Sequence, residues 1–375
     1  MSESTMPHRT APETGDRFLG RRVVGQHMSK LVILGAGMMG TALAIPLFDR
    51  GHDVRLVGTH LDEDIVASLK DSGVHPKLKL PIPREIRPFH HHELAQAAEG
   101  VELWALGVSS AGIGWATERI GPLVRRDTPV FMITKGLVLE GSKLVTLPDV
   151  VRSGLPDKVR ADVHPAAIAG PCIAGELARR VPSCVVLAGR DERSLSRIAD
   201  AIRAPYYHPF PTTDVVGAEV SAALKNAYAM GIGFAAGMHE KAGGTHGSVA
   251  MHNLESATMA QAVLEMRHIV ARLGGDPDTV TGLAGVGDLD VTTNGGRTGR
   301  FGRFLGQGLT LAKAIEAMEG ATLECLEILS VMEAGWRAGA LGTLGDDDLP
   351  LLGHLIAVAL HGAPVDLPLA RFFKR

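Results

Sequence analysis

Short apolar runs alternate with segments of helical periodicity through the first half of the chain. The first run, residues 31–34, is followed by a glycine-rich turn and then by an apolar helix that extends to about residue 50. Such an alternation predicts an α/β fold with a mostly parallel sheet. The other runs that predict strands are 54–57, 101–106, 130–134, 185–187 and 206–210, and the segments that predict helices include 61–69, 173–180 and 195–202.

The pattern changes near residue 212. From Asp214 onward no further strand pattern occurs, and apolar residues recur at helical spacing instead. We therefore predict two domains, a strand–helix domain over residues 28–212 and an all-helical domain over residues 213–375. Residues 1–27 are polar and lack the apolar core of a secretory signal, so they are predicted to be a disordered extension, with both Met1 and Met28 open as the start.

The turn after the first strand has the spacing G-x-G-x-x-G, formed by Gly35, Gly37 and Gly40. Between a strand and a helix this pattern is typical of dinucleotide binding, and it predicts a Rossmann-type domain. The first glycine allows a sharp turn, the second lets the backbone approach a pyrophosphate, and the third lets helix and strand pack closely. Backbone N–H groups at the helix start, at Met38 and Met39, are expected to hold the phosphates of NAD or NADP.

The choice between NAD and NADP depends on the residues after the second strand. A carboxylate there would accept hydrogen bonds from the ribose, and basic groups would favour a 2′-phosphate. The chain has Gly58-Thr59-His60 at this point, and its acidic residues begin only at Asp62. These acids are also typical of the first turn of a helix, so the cofactor choice stays open.

Composition narrows the function classes. The chain has 375 residues, of which 45% are hydrophobic and 21% charged, and this suits a globular protein of two domains. A net charge of −3 and an aromatic content of 4% argue against a nucleic-acid partner. No apolar run is long enough to span a membrane. The cysteines Cys172, Cys184 and Cys325 form neither a disulfide framework nor a metal-ligand pattern, which predicts a reducing cytoplasm.

Histidines are concentrated in residues 75–92, which contain His75 and the run His90-His91-His92. Consecutive histidines point in different directions on a strand or helix, and no acidic or cysteine partner has ligand spacing along the sequence. We therefore expect a solvated loop or strand end here, and no metal site.

Two ionisable residues stand out in the second domain. Lys225 lies in a predicted helix, residues 215–237, that is built mostly of small and apolar residues. Desolvation would lower the pKa of this lysine and let it exchange protons near neutral pH, whereas a lysine that reaches water would only cover apolar surface with its stem. Asp288 interrupts a glycine-rich apolar run, so its carboxylate needs a partner, and a lysine would serve.

Arg297 follows in a segment rich in hydroxyls and glycines that is expected to be a loop. A guanidinium fork flanked by hydroxyl and N–H groups suits a phosphate. The alternatives are that Asp288 is a structural cap and that the arginine faces solvent.

Taken together, these motifs resemble the NAD(P)-dependent glycerol-3-phosphate dehydrogenase family, from about residue 30 to residue 335. Several separate motifs in one order are more specific than a single fingerprint. They are Gly35–Ala44, Thr134-Lys135-Gly136, Gly170-Pro171 with Ala174 and Glu176, Leu224-Lys225-Asn226, Gly282–Gly285 with Gly287-Asp288-Leu289, Arg300-Phe301-Gly302 and Leu305–Gly308.

The resemblance implies reversible hydride transfer between NAD or NADP and the C2 carbon of dihydroxyacetone phosphate or glycerol 3-phosphate, which supplies phospholipid synthesis. It implies that Lys225 is the general acid/base at the C2 oxygen and that Asp288 pairs with it. The residues that match substrate contacts are Lys135, Gly170, Thr292, Arg297 and Thr298. Those that match cofactor contacts are Gly35, Gly37, Met38, Met39, Gly40, Lys135, Ala174, Arg297 and Glu324. No metal is implied.

The departures from the family lie mainly on the substrate side. Thr298 stands where asparagine is usual, and Glu255 stands where a lysine is usual. A related phosphorylated hydroxy compound therefore stays open as the substrate. The alternatives are a reductase of another 2-oxo acid, such as ketopantoate, and a non-catalytic redox sensor, which would lose the lysine–aspartate pair. A homodimer is the default expectation for the assembly.

Overall fold

The computed structural model describes residues 28–245 and 251–374, so the expectations for residues 1–27 lie outside the described residues. The strands are β1 (Lys30–Leu34), β2 (Asp53–Val57), β3 (Val74–His75), β4 (Leu80–Pro81), β5 (Arg87–Phe89), β6 (Leu103–Leu106), β7 (Val130–Met132), β8 (Leu137–Glu140), β9 (Lys143–Thr146), β10 (Ala166–Ala169), β11 (Ser183–Ala188) and β12 (Tyr207–Thr212). The helices are α1 (Met38–Asp49), α2 (Glu63–Asp71), α3 (Leu94–Ala97), α4 (Ile113–Ile120), α5 (Leu147–Gly154), α6 (Asp157–Arg160), α7 (Ala174–Ala178), α8 (Glu192–Ile202), α9 (Val215–Lys241), α10 (His252–Arg272), α11 (Asp288–Gly295), α12 (Arg297–Gly306), α13 (Leu311–Glu316), α14 (Glu324–Arg337) and α15 (Pro350–His361).

The main sheet has eight strands in the order β12-β11-β10-β7-β6-β1-β2-β5. Every neighbouring pair in it is parallel except β10 and β11, which confirms the predicted α/β class with a mostly parallel sheet. Residues 31–34 of β1 are fully buried between β2 and β6, as expected for a central parallel strand. Because ligands collect at the carboxyl ends of such strands, we expect the turns after β1, β7 and β10 to form the binding site.

Helices make up the described chain beyond β12, with α9 at their centre. This helix of 27 residues is buried over most of its length, and it packs against α10, α11, α12 and α14. Glycines allow α12 to approach it closely, since a Cβ at Gly302 would overlap the carbonyl of Met230. The division into two domains at residue 212 stays a prediction. No helix in the described ranges combines the length and apolarity needed to cross a membrane.

One local expectation holds only in part, and another was wrong. Residues 90–92 lie at a strand end, directly after β5, as expected, but His75 in the same stretch is fully buried beside the paired strands β3 and β4. Lys135-Gly136 leads into the antiparallel pair β8–β9, for which the sequence patterns gave no indication. Arg297 begins helix α12 instead of lying in a loop. The surrounding glycines serve close helix packing, since a Cβ at Gly299 would overlap the carbonyl of Thr293.

A buried carboxylate fixes the C-terminal helix to the rest of the helical region. Both oxygens of Glu265 accept backbone N–H groups at the start of α15, Oε1 from Leu351 at 2.7 Å and Oε2 from Leu352 at 2.8 Å. The Gln261 amide and the Tyr228 hydroxyl donate to the same carboxylate at 2.8 and 3.0 Å. Glu265 therefore caps α15 from a neighbouring helix.

Replacing Glu265 by alanine is expected to lower the free energy of unfolding by about 3 kcal/mol, because several buried donors lose their acceptor. Asp157→Ala is the matched control, since that carboxylate is 90% exposed in its pair with Arg160 and should contribute less than about 1 kcal/mol. Urea denaturation of both variants measures the difference. Equal losses would contradict a capping role for Glu265.

Candidate active site

The glycine fingerprint has the geometry of a phosphate cradle. Gly35 has a φ of +118°, and a Cβ there would lie 2.5 Å from the backbone of Gly107, so only glycine fits this turn. A Cβ at Gly40 would overlap the carbonyl of Gly35. In contrast, a Cβ at Gly37 would meet no atom within 4 Å, and no side chain caps the start of α1 at Met38. Open space in front of uncapped N–H groups fits the pyrophosphate of NAD or NADP.

The fingerprint turn is braced by side chains that the sequence interpretation placed elsewhere. The carbonyl of Ala36 accepts hydrogen bonds from Thr41 Oγ1 at 3.0 Å and from His75 Nε2 at 3.1 Å. Its N–H donates to Asp62 Oδ2 at 3.3 Å, and the same oxygen accepts from the Thr59 hydroxyl at 2.8 Å. Asp62 is thus more than an acid of a first helical turn: it joins the end of β2 to the fingerprint.

The tautomer of His75 follows from its contacts. Nδ1 accepts the N–H groups of Lys77 and Leu78 at 3.2 and 3.1 Å, so the proton lies on Nε2 and is donated to Ala36. Burial lowers the pKa of His75 below its usual 6.5. Protonation would place a second N–H against two backbone donors and a charge beneath the fingerprint.

His75→Ala is expected to weaken cofactor binding about tenfold, because the fingerprint turn loses a buried brace. Since the folded pKa lies below the unfolded one, the contribution of His75 to the free energy of unfolding is complete above about pH 6.5 and declines as the pH falls below it. Fluorescence titration with reduced cofactor measures the affinity, with His208→Ala on β12 as control. Unchanged cofactor affinity in His75→Ala would show that the hydrogen bond from His75 to Ala36 does not contribute to cofactor binding.

Asp288 connects the carboxyl ends of the sheet strands to the helical region. It lies at the start of α11 and is 1% exposed. Oδ1 forms an ion pair with Lys225 of α9, and Oδ2 forms one with Lys135 at 2.6 Å. The N–H of Gly170 also donates to Oδ2, at 3.2 Å, and the Gly170 carbonyl lies 3.5 Å from Lys135 Nζ. Lys135 and Gly170 follow β7 and β10, which are neighbouring parallel strands, so their approach is a consequence of the sheet order.

The three charges of this centre differ in their tendency to titrate. Burial and then the nearby Lys135 ammonium lower the pKa of Lys225 to about 8, and Asp288 offsets only part of this. Burial also acts on Lys135, but the Asp288 carboxylate outweighs it and raises the pKa of Lys135. Burial opposes ionisation of Asp288, yet the two lysines hold the pKa of that carboxyl below its usual value. Near neutral pH, Lys225 is thus the group that can gain or lose a proton.

The Lys225 side chain is only 10% exposed, so its ammonium group does not extend into solvent. Beside it, Asn226 donates to Glu324 Oε2 at 3.0 Å, and Arg297 lies 3.8 Å from Glu324 Oε1. The Arg297 side chain is 50% exposed and therefore accessible to an anion. These contacts place Arg297 and Glu324 next to the lysine–aspartate centre.

The other predicted substrate and cofactor residues differ in their burial and in the elements on which they lie. Thr292 donates its hydroxyl to the Asp288 carbonyl at 2.6 Å, one helical turn away. Thr298 is buried in α12, with 7% of its surface exposed. Ala174 begins α7, and Met38 and Met39 begin α1.

Sequence reasoning gave no role to two ionisable groups near this centre. Glu219 is fully buried on α9, and burial raises its pKa to about 8 against the pull of Lys135. Cys172 follows Gly170 closely, and burial raises the pKa of its thiol to about 11. The signal for Glu219 was available, since a glutamate among small apolar residues on the helix of Lys225 is as unusual as the lysine itself.

Comparisons with known proteins agree over most of the chain. Residues 30–195 match the model of the NAD-dependent glycerol-3-phosphate dehydrogenase N-terminus, and residues 214–367 match that of its C-terminus. An "NADP(+)-dependent glycerol-3-phosphate dehydrogenase" of Archaeoglobus fulgidus is 34% identical over 334 residues, 89% of this chain and 96% of the relative. A "Glycerol-3-phosphate dehydrogenase [NAD(P)+]" of Corynebacterium aurimucosum is 30% identical over 90% of this chain and 96% of its own length.

Solved structures extend the likeness to the fold. The crystal structure of a glycerol-3-phosphate dehydrogenase from Coxiella burnetii superimposes with a TM-score of 0.75 and 28% identity, over 90% of this chain and 96% of that one. A ketopantoate reductase from Ralstonia eutropha reaches a TM-score of 0.50 with 14% identity, which is a likeness of fold alone. With both family regions matched and a relative of 34% identity spanning nearly its whole length, the chain belongs to the NAD-dependent glycerol-3-phosphate dehydrogenase family.

Proposed function

We propose that this protein catalyses reversible hydride transfer between NAD(P)H and dihydroxyacetone phosphate, giving sn-glycerol 3-phosphate. One observation carries the proposal: a buried aspartate, Asp288, holds Lys225 and Lys135 together at the carboxyl edge of the sheet that also carries the glycine fingerprint. The relatives named above support the substrate assignment, since both are glycerol-3-phosphate dehydrogenases.

In this proposal Lys225 serves as the proton donor and acceptor. Gly35, Gly37 and Gly40 would hold the pyrophosphate of NAD(P)H, whose nicotinamide ring would supply the hydride for C2. As the hydride arrives, the C2 oxygen needs a proton, and Lys225 delivers it because its pKa of about 8 lies near the working pH. Lys135 stays protonated and places a fixed positive charge near the developing oxyanion. Asp288 positions both ammonium groups.

In the same proposal, Arg297 binds the phosphate group of the substrate. Its guanidinium is half exposed beside Glu324, and it lies at the first residue of α12, where the helix dipole also favours an anion. The two departures from the family, Thr298 and Glu255, do not add an unpaired charged side chain beside Arg297. Thr298 is buried, and Glu255 accepts from His252 at 2.7 Å within the first turn of α10.

The test is oxidation of the reduced cofactor, followed by its absorbance, with dihydroxyacetone phosphate and ketopantoate as competing substrates. NADH and NADPH are run in parallel, so the same experiment decides the cofactor preference. Turnover of dihydroxyacetone phosphate at least about a hundredfold above ketopantoate is expected, because ketopantoate lacks the phosphate that Arg297 is proposed to bind. Preference for ketopantoate, or cofactor binding without turnover of either substrate, would overturn the proposal.

The proposal includes three further expectations: a homodimer, a cytoplasmic location and a supply of glycerol phosphate for phospholipids. Light scattering on the purified chain determines the assembly directly. A mass of two chains is expected, and a mass of one chain would remove the homodimer from the proposal.

A further inference from the structure

The histidine run after β5 is folded against the first turn of α2. Glu63 Oε2 lies 2.6 Å from His90 Nδ1, and Glu63 Oε1 lies 2.7 Å from His91 Nδ1. The His92 ring stacks on His90 at 5.4 Å and meets His91 edge-on at 5.5 Å. These four residues are called the histidine cluster below. Spacing along the sequence does not reveal this partner, because Glu63 precedes His90 by 27 residues and meets the histidines only in the fold.

Three members of the histidine cluster have the spacing of metal ligands. One ligand atom each from Glu63, His91 and His92 lies within 4.8 Å of the other two. Zinc–nitrogen and zinc–oxygen bonds of roughly 2.1 Å would bring such atoms to about 3.4 Å from one another in a tetrahedral site. The Glu63 side chain is 43% exposed and that of His91 27%, so both side chains have room to rotate toward this spacing.

The surrounding charges favour a cation. Glu63 supplies the carboxylate of the histidine cluster, and each of its two oxygens lies against a ring nitrogen, of His90 or of His91. His90 holds the second carboxylate oxygen and orients it, as outer partners of metal ligands commonly do. The nearby Lys70 ammonium is paired with Glu93 at 2.7 Å, which also accepts the His90 N–H.

We propose that Glu63, His91 and His92 bind a divalent transition-metal ion, with Zn²⁺ as the main candidate. Two imidazoles and one carboxylate suit Zn²⁺, Ni²⁺ or Cu²⁺, whereas Mg²⁺ and Ca²⁺ require more oxygen ligands. The fourth position is left to solvent. The ion replaces the proton shared between His91 and Glu63. Binding of the ion at this site does not depend on the dehydrogenase activity.

The position of the site gives it a structural consequence. Among the strands of residues 28–245 and 251–374, β5 lies at the end of the main sheet and pairs with β2 alone, while Glu63 begins α2. A bound ion therefore joins the edge strand to the helix that covers it. Because the ion binds only the folded chain in this arrangement, saturating Zn²⁺ is expected to raise the Tm.

The test uses the full chain without a polyhistidine tag, first dialysed against a chelator. Calorimetric titration with Zn²⁺ is expected to show one ion bound per chain, and Mg²⁺ none. Glu63→Gln and His92→Ala should each weaken the Zn²⁺ affinity at least about tenfold and remove the rise in Tm. His90→Ala should produce a smaller loss, because His90 only orients the carboxylate.

Two controls separate this site from incidental binding. His361→Ala removes another exposed histidine that pairs with a glutamate, at 2.6 Å from Glu333, and should leave Zn²⁺ binding unchanged. Cys184→Ser removes an exposed thiol, another common zinc ligand, and should also leave Zn²⁺ binding unchanged. No bound Zn²⁺, or binding that persists in Glu63→Gln and His92→Ala, would overturn the proposal.

Discussion

Replacing Lys225 by alanine is expected to reduce kcat for dihydroxyacetone phosphate reduction by roughly a thousandfold. The reason is that the C2 oxygen loses its proton donor, while the fingerprint, on a different element, is untouched. Cofactor affinity in a fluorescence titration should therefore change by less than about twofold. The loss belongs to the chemical step, so KM should change much less than kcat.

Small amines provide a sharper readout than activity loss alone. In Lys225→Ala the space left by the side chain can admit methylammonium, which should restore part of kcat in proportion to its concentration. Lys143→Ala is the control, because Lys143 lies exposed on β9 and should retain full activity. Retention of more than about a tenth of the wild-type kcat in Lys225→Ala would contradict a role in proton transfer.

Replacing Asp288 by asparagine is expected to have the second largest effect. The carboxylate is 1% exposed and pairs with both lysines, so its loss leaves two buried ammonium groups facing each other without a counter-charge. The free energy of unfolding should fall by about 3–5 kcal/mol, and kcat should fall with it because neither lysine is held in place. Thermal and urea denaturation measure the first effect, and cofactor oxidation the second.

A double variant distinguishes repulsion from simple misfolding. Lys135→Met in the Asp288→Asn background removes one of the facing charges, so it should recover part of the lost stability, although alone it should destabilise the protein. Strictly additive losses in the double variant would show that the two lysines do not act through Asp288.

How far sequence reasoning reached depends on how local each signal is. The fingerprint was predicted together with its strand and helix, because Gly35 and Gly40 satisfy constraints set by residues close in the chain or in the adjacent strand. The catalytic pairing was harder, since Asp288 lies 63 residues from Lys225 and 153 from Lys135. Only the resemblance joined Lys225 to Asp288, and nothing in the sequence indicated that Lys135 shares the same carboxylate.

The remaining misses have one physical cause. Glu63 meets the histidine run only when β5 pairs with β2, and His75 on β3 meets Ala36 only across 39 residues of the chain. Hydrophobic periodicity reports which face of an element is buried, but it does not report which polar groups meet across elements. The start of a helix at Arg297 was missed for a related reason, since glycines that permit close packing resemble glycines that form a loop.

The most direct test of the central claim is the pH dependence of kcat/KM in both directions of the reaction. If Lys225 donates the proton during reduction, the reduction rate should fall as the pH rises through about 8, and oxidation of glycerol 3-phosphate should rise through the same pH because it needs the neutral amine. In Asp288→Asn, both transitions should move to lower pH, since the carboxylate that favours the charged lysine is gone. Profiles without opposite transitions, or transitions unmoved in Asp288→Asn, would contradict proton transfer by Lys225.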